Sequence, residues 1–555
     1  MEERVSRRAF VGGAALMAGA AMAGLAGCSS SKGQPAAAVP AGVPESWDKE
    51  ADVVVVGCGA AGLGAAIAAA QGGASVEVLE AAPEGEQGGN TRVSGNMIMV
   101  PDTVELGVTY QTELNGPYVI DEALMQAWAE QLIEALDWLK DDVGIDMQQG
   151  KVASPEYTEV KGSEGIHTYI ADGVQAEEHL WTVMFEAASK MGISFNYDAR
   201  AVKLFFDPAT REVFGVRTED GRTWKARKGV VLACGGFENN PDMLMNYFCS
   251  EGDAIPFFSG TPWNRGDGHK MVSELGVPLW HMNSYAGASG MFRVQSLDSG
   301  MSSWPNFKSK DYIYVNAEGR RFMYEERTST GRHGRLKDEA GAWALMSFPS
   351  PSHIIFGQAM FDGDPLMTVE SRSQWVARID GYRAADTNQG MLDAGLFVKA
   401  DTVEELAEKT GYDATTLAET IAKYNEDVAA GKDTQFGRGE AYYGTYVGSG
   451  RDTGETRTGE QVVVIEPFEL LPIEPPYYAA QISMVLLNTQ GGPKRNESAQ
   501  TLDWDGNPIP RLYNCGEFGS IYAYMYNGGG NVGEAIATGR VAGLHAVGLD
   551  PWDAA

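Results

Sequence analysis

Residues 51–81 read ADVVVVGCGAAGLGAAIAAAQGGASVEVLEA. The valine run Val53 to Val56 predicts a buried strand, and the small residues after it predict a helix. Between them lies G-x-G-x-x-G with its full context of preceding strand, following helix and distal acid. Gly57 makes the turn, Gly59 lets a pyrophosphate approach the backbone, and Gly62 lets the helix pack on the sheet. The helix N-terminus, with Ala60 and Ala61 between the glycines, holds the phosphates. Glu80 stands 18 residues beyond Gly62, at the end of the second strand. It accepts from adenosine ribose hydroxyls, which favours a dinucleotide without a 2′-phosphate.

Upstream, SRRAFVGGAALMAGAAMAGLAGC (residues 6–28) sets Arg7 and Arg8 before an Ala/Gly-rich stretch that ends at Cys28. Alanine and glycine contribute little insertion energy, which argues against a transmembrane helix. The pattern resembles a twin-arginine export signal ending in a lipoprotein cleavage box, so residues 1–28 are expected to be an address. Cys28 is then expected to carry a lipid anchor in the cell envelope, and residues 29–50 to form a flexible tether.

The chain has 555 residues, enough for two or three domains, and a globular balance of 44% hydrophobic and 21% charged residues. Its 43 basic and 75 acidic residues give a net charge of −32 with no basic stripe, which excludes nucleic-acid partners. Cys28, Cys58, Cys234, Cys249 and Cys515 form no CxxC or CxxCH, so haem c, zinc and iron–sulfur centres are not expected, and no metal is assigned.

Downstream, GGNTRVSGN (88–96) combines glycines, hydroxyls and amides able to hydrogen-bond the edge of a flat heteroaromatic ring. Gly89, Asn90, Thr91, Ser94, Gly95 and Asn96 are its candidates. A hairpin turning at Glu219-Asp220-Gly221 leads to a buried strand, Val230 to Ala233, ending at Gly235-Gly236. Asp267 follows between two glycines, and Glu517 follows a late strand. YMYNGGGNVGEAIATGR (524–540) runs three glycines, Gly528 to Gly530, into a helix begun by Asn531, Val532 and Gly533. Free N–H groups there would stabilise negative charge on a group brought close to that backbone.

These segments, from both chain ends around one nucleotide, resemble the flavoprotein family of soluble fumarate reductases, urocanate reductases and 3-ketosteroid dehydrogenases. GCGAAG, GGNTRVSGN, GDG, VNAEGRRF, NTQGGP, IPRLYNCGE and GGGNVGEAIATGRVAG occur in the family's order over about residues 51 to 546. The resemblance implies FAD and an α/β Rossmann-like FAD domain of glutathione-reductase type, split by an inserted α+β capping domain. Its parts are residues 51–279 and 484–555, with the cap at 280–483. In the cap, a Thr402–Glu405 capping box opens one helix and Gly431 closes the next. Val202 joins the cofactor-binding residues already named.

The departures from the family bear on substrate. Fumarate reductases clamp a dicarboxylate with an arginine where this chain has Asn527, and with a histidine where it has Asn488. A second expected histidine is missing from NSYAGASGM (283–291). Without those cations fumarate is not expected as substrate. Tyr526 followed by Gly530 resembles the Y-x-x-x-G that binds a carbonyl in 3-ketosteroid dehydrogenases, although that family's tyrosine beyond RF-x-N-E is absent. Fumarate-reductase relatives use an arginine after RF-x-N-E as proton donor. Here Arg332, His333 and Arg335 lie slightly further along. An exported ene-reductase acting on a small unsaturated substrate is the leading expectation, with Arg332, His333, Arg335 and Tyr526 as catalytic candidates. A ketosteroid-type dehydrogenase is the alternative, and a non-catalytic electron carrier a remoter one. No second nucleotide motif is present, so electrons are expected from a separate envelope partner, a cytochrome or quinone-linked donor.

Overall fold

The strand β1 (Lys49–Val56) lies at the centre of a parallel sheet because its valines alternate between two helix-covered faces, both buried. The computed structural model describes residues 42–554 except 151–154, 158–159, 172–178, 249–256, 295–298, 302–306, 308, 326–332, 334, 338–342, 346–348, 367–374, 376–378, 380–384, 445–461 and 466. The predicted signal and most of the tether therefore lie outside the described residues, as does Arg332. Among the described residues no helix is long and apolar enough to cross a membrane.

Beside β1 run β2 (Val76–Leu79), β3 (Ser194–Asn196), β4 (Thr223–Leu232) and β5 (Pro508–Asn514), in the order β3-β2-β1-β4-β5, all parallel. Val53 pairs with Val76 on one side and Gly229 on the other. This is a doubly wound nucleotide sheet with its switch point at β1. The predicted hairpin is present between Val213–Thr218 and β4. The buried stretch Val230 to Ala233 is the end of that longer strand.

Helix α1 (Ala60–Gln71) packs on the last long helix, α6 (Gly530–Val547), through small residues. A methyl on Gly539 would come within 2.1 Å of the Ala61 carbonyl oxygen, and one on Gly543 within 2.3 Å of that of Ala65. Only glycine permits so close an approach of two backbones. On its other side α6 meets α3 (Glu122–Trp138), where Gly533 accommodates Leu132.

A second sheet surrounds the strand Tyr477–Thr489, which pairs antiparallel with Tyr285–Val294, Ser352–Phe356 and Val398–Ala400. The strand Phe257–Phe258, inside the segment assigned to the first part of the FAD domain, pairs parallel with it. Phe292, Phe356, Phe397 and Tyr478 supply an aromatic core. The two predicted helices occupy Val403–Thr410 and Ala414–Ala429. Thr402 Oγ1 accepts from Glu405 N at 3.2 Å, and Gly431 ends the second at φ 72°. The strand Tyr477–Thr489 ends where Thr489 Oγ1 accepts from Phe237 N and Gln490 donates to Asn531 at the start of α6, so the second sheet delivers residues directly to the nucleotide domain.

Candidate active site

The cradle at the end of β1 is built by glycines with different reasons. Gly57 turns at φ 107°, and a Cβ there would meet the Ala233 carbonyl oxygen at 2.3 Å. A Cβ on Gly62 would meet the Gly57 oxygen at 1.9 Å. Both glycines are required by the protein's own packing. Gly59 is not: its φ of −76° suits any residue, and a Cβ would find only Thr91 Oγ1 at 3.5 Å and the Gly88 oxygen at 3.6 Å. Across the gap Gly89 has only the Gly59 Cα within reach, at 3.9 Å. The two glycines thus adjoin each other at the N-termini of α1 and α2 (Gly89–Arg92), and nothing crowds the place where either Cβ would lie.

Thr91 Oγ1 accepts from Ala60 N at 3.0 Å, and Leu63 N donates to the Gly59 oxygen at 2.9 Å, which leaves the Ala61 and Gly62 N–H groups without acceptors among the described residues. Glu80 is held behind the turn, accepting from Cys58 N at 3.0 Å and Ala82 N at 2.9 Å. Burial raises its carboxyl, opposed by those amides and by Arg200. Arg200 is ion-paired with Asp267 and lies 5.8 Å over Trp263. Val202 follows on the strand Ala201–Phe206.

Two predicted cofactor residues are turned elsewhere. Asn96 is fully buried and its Oδ1 accepts from Leu180 N at 3.4 Å, at the start of α4 (His179–Lys190), so it has no face on the cradle. Its backbone φ of 56° lies in the left-handed region, which asparagine tolerates better than most residues. Ser94 Oγ accepts from Asn96 N at 3.2 Å, which steadies the same turn, while Gly95 packs beside Met97.

Glu517 lies after β5, receiving Nδ2 of Asn90 at 3.2 Å and Nδ2 of Asn264 at 3.0 Å. Gly235, at φ 67°, leaves room for Asn264, and Gly236 for Thr489. The loop before α6 is fixed by Glu534, a fully buried acid paired with Arg495 that accepts from Ser520 Oγ at 2.5 Å and Ile521 N at 2.9 Å.

At the start of α6 the amides differ from expectation. Gly530 N donates to the Asn527 oxygen at 3.0 Å, Asn531 N to the Tyr526 hydroxyl at 3.3 Å, and Gly533 N to the Gly529 oxygen at 3.3 Å. Of the first turn, Val532 N–H alone lacks an acceptor among the described residues. The tight tyrosine–glycine loop satisfies the others itself, a geometry that spacing cannot foretell. The Asn531 side chain bridges Asn488 Oδ1 at 2.5 Å and Gln490 Nε2 at 2.9 Å.

Asn527 is fully buried. Its Oδ1 accepts from the Tyr110 hydroxyl at 2.7 Å and from Glu156 N at 2.9 Å, and its Nδ2 donates to the Gly528 oxygen at 2.9 Å. It therefore braces the loop and presents no charge. Beside it His333, at φ 54°, stands edge-on to Tyr526 with 4.7 Å between ring centroids. Gly287 N donates to His333 Nδ1 at 3.2 Å, so the proton sits on Nε2, which donates to Glu156 Oε2 at 3.1 Å. Arg335 begins the short strand Arg335–Lys337.

The family model described as "FAD binding domain" matches residues 52–532 of this chain. The chain belongs to this FAD-binding family. It is 28% identical to the digoxin reductase of Eggerthella lenta, over 100% of this chain and 99% of that one. It is 25% identical to the 3-oxosteroid 1-dehydrogenase of Mycobacterium tuberculosis, over 90% and 98%. Among solved structures, the 3-ketosteroid delta1-dehydrogenase of Sterolibacterium denitrificans superposes with a TM-score of 0.67 at 19% identity, covering 90% of this chain and 99% of that one.

The protein is thus an FAD-dependent oxidoreductase, and the cradle fits the cofactor. The opening between Gly59 and Gly89, with the unmatched amides of Ala61 and Gly62, suits a dianionic pyrophosphate. Sequence reasoning missed Arg200, Glu238, Asn264, Thr489 and Gln490. Arg200 and Thr489 lie at strand ends and Glu238 follows a glycine pair, but only the closing of the chain brings these residues together. It also missed Glu156 and Tyr110, which no motif marks.

Proposed function

We propose that this FAD-binding protein is an exported ene-reductase for an activated alkene other than fumarate, with a 3-ketosteroid-type dehydrogenase as the second reading. The observation that carries it is Asn527, where fumarate reductases place a clamping arginine. Its amide is committed at both ends to Tyr110, Glu156 and Gly528, so it offers a dicarboxylate no charge. Asn488, at the second clamping position, is likewise engaged with Asn531.

FAD supplies the hydride, and the protein's groups orient the acceptor and hold the proton for its α-carbon. Gly59, Gly89, Thr91 and the amides of Ala61 and Gly62 would bind the pyrophosphate, Glu80 the ribose, and Glu517 the far end. Tyr522 and Tyr526, with 5.2 Å between ring centroids, form an aromatic wall before α6. His333 Nε2–H is directed at Glu156 and its Nδ1 is occupied, so the ring positions Tyr526 rather than delivering a proton. Proton donation then falls to Arg332 or Arg335, with Tyr526 next. Arginine relays a proton only when desolvated and paired. The second reading is favoured by the Tyr526–Gly530 spacing and by the relatives named as steroid dehydrogenases.

The twin-arginine-like leader and Cys28 support export and lipid anchoring, and a cytochrome or quinone-linked partner would then supply electrons. The test uses purified, dithionite-reduced protein challenged with enones, cinnamates, urocanate, fumarate and 3-ketosteroids. Reoxidation by a non-dicarboxylate alkene is the expected result. Fast reoxidation by fumarate, or dye-coupled oxidation of a ketosteroid without reductase activity, would overturn the first reading.

A further inference from the structure

Glu238 follows the Gly235-Gly236 pair and is only 2% exposed. Its Oε1 accepts from Thr489 N at 2.8 Å, while its Oε2 is enclosed without any donor. Glu517 lies close by: the carboxamides of Asn90 and Asn264 both donate to its Oε1, while Asn264 packs on Gly235 and Glu238 Oε1 on the adjoining Gly236. Asn90 is not free to turn, because its Oδ1 accepts from Thr261 N at 3.0 Å. Among the described residues neither carboxyl has an ion-pair partner. The other ionisable groups nearby are engaged separately: Asp267 with Arg200, Glu86 with the Trp263 indole at 3.1 Å, and Arg265 over the Trp263 ring.

Two buried carboxylates near enough to act on each other's charge, with no cation paired to either among the described residues, are not both ionised, since neither burial nor repulsion is compensated. Burial pushes Glu238 up to about 7, and burial followed by the charge of Glu238 pushes Glu517 well above the carboxylate range. Carbonyl-type oxygens accept only, so the orphaned Oε2 of Glu238 becomes satisfied once a proton lies between the acids. Glu517 is the less enclosed of the two.

We propose that Glu238 and Glu517 hold a single proton between them, and that Glu238 is thereby the positioning residue for a cofactor-facing Glu517. A protonated Glu238 donates to Glu517 and stops the second acid from being expelled by its neighbour. Glu517 can then accept from a hydroxyl of FAD while its other contacts keep it still. The inference rests on Glu517 facing FAD and is independent of the alkene reduced and of the direction of reaction.

The experiment measures FAD affinity of apoprotein by flavin fluorescence from pH 5.5 to 9 for wild type, Glu238→Gln and Glu238→Leu. A carboxamide still donates to Glu517, so Glu238→Gln should stay within about threefold of wild type at neutral pH, while Glu238→Leu should lose roughly tenfold or more. Covering the pair raises its hold on the proton, so wild-type affinity falls as pH rises, and Glu238→Gln removes that slope. Difference infrared spectra should show a protonated carboxyl in wild type at neutral pH that Glu238→Gln lacks, which keeps the test decisive should Glu238→Leu not fold. Equal losses in both variants with an unchanged pH slope, or no protonated carboxyl in wild type, would overturn the shared proton. Wild-type affinity in every variant would overturn the positioning role.

Discussion

Replacing Gly59 and Gly62 separately distinguishes a glycine required by a ligand from one required by the fold. In Gly62→Ala the methyl would lie 1.9 Å from the Gly57 oxygen, which is backbone and cannot yield without moving the turn. Overpacking of this kind costs about 1–3 kcal/mol, and here the upper end applies because the neighbour is a main-chain atom. In Gly59→Ala the nearest atoms lie at 3.5 and 3.6 Å, ordinary contact, and φ is −76°. Alanine is a poorer N-cap than glycine, but it lowers the entropy of the unfolded chain by roughly 0.4–1 kcal/mol, so the two effects nearly cancel. The added methyl nevertheless stands in the opening where the pyrophosphate must come. Lengthening even one charge-assisted hydrogen bond, from the Ala61 or Gly62 amide, costs about 1.5–3 kcal/mol, or roughly ten- to a hundredfold in FAD affinity. Apoprotein melting and flavin-fluorescence titration read the two effects independently. Gly59→Ala should melt like wild type and bind FAD weakly, whereas Gly62→Ala should melt early. If Gly59→Ala apoprotein is as destabilised as Gly62→Ala, or binds FAD normally, the assignment of the cradle is wrong.

Arg332→Ala and Arg335→Ala should each retain FAD, and whichever is the donor should slow reoxidation of the reduced flavin by substrate about a hundredfold. His333→Phe keeps an aromatic ring against Tyr526, so it should lower turnover less than loss of the donor does; a loss as large as the donor's would restore His333 as the acid. Buried His269 and His281, pushed down to about 4 and about 3 by desolvation, are neutral in the fold and charge on unfolding. Their contribution is therefore complete above pH ~6.5 and is lost as pH falls towards 4. It amounts to about 2 kcal/mol each between pH 7 and 5, and His269→Gln should flatten the urea-denaturation profile by that much. Thr402→Ala should cost about 1 kcal/mol through the lost cap, with FAD affinity unchanged.

Residues 51–81 carried the fold because strand, turn and helix there depend on neighbours in sequence, and the positions of β1, α1 and β2 follow from local sterics. The cap helices were legible for the same reason, through Thr402 and Gly431. What could not be read was how distant polar groups pair. Asn96 looks like a cofactor ligand in GGNTRVSGN, yet Leu180 claims it across the fold. The amides opening α6 look free, yet the Tyr526–Asn527 loop closes back on them. Glu238 gave no signal alone, because its meaning lies in Glu517, which arrives from the other end of the chain.

The seam between α1 and α6 has a consequence for biosynthesis. The nucleotide-binding turn emerges early from the ribosome, but the flank of its helix that packs on Gly539 and Gly543 waits for residues that come far later in the chain. Until then α1 exposes an apolar flank, and Glu517 and the α6 amides do not exist to close the cradle. Contacts so remote in sequence slow folding, and the long-lived partial chain is open to aggregation. Flavin capture must accordingly be a late, post-translational event, so that flavin supply acts on the finished chain rather than on the growing one.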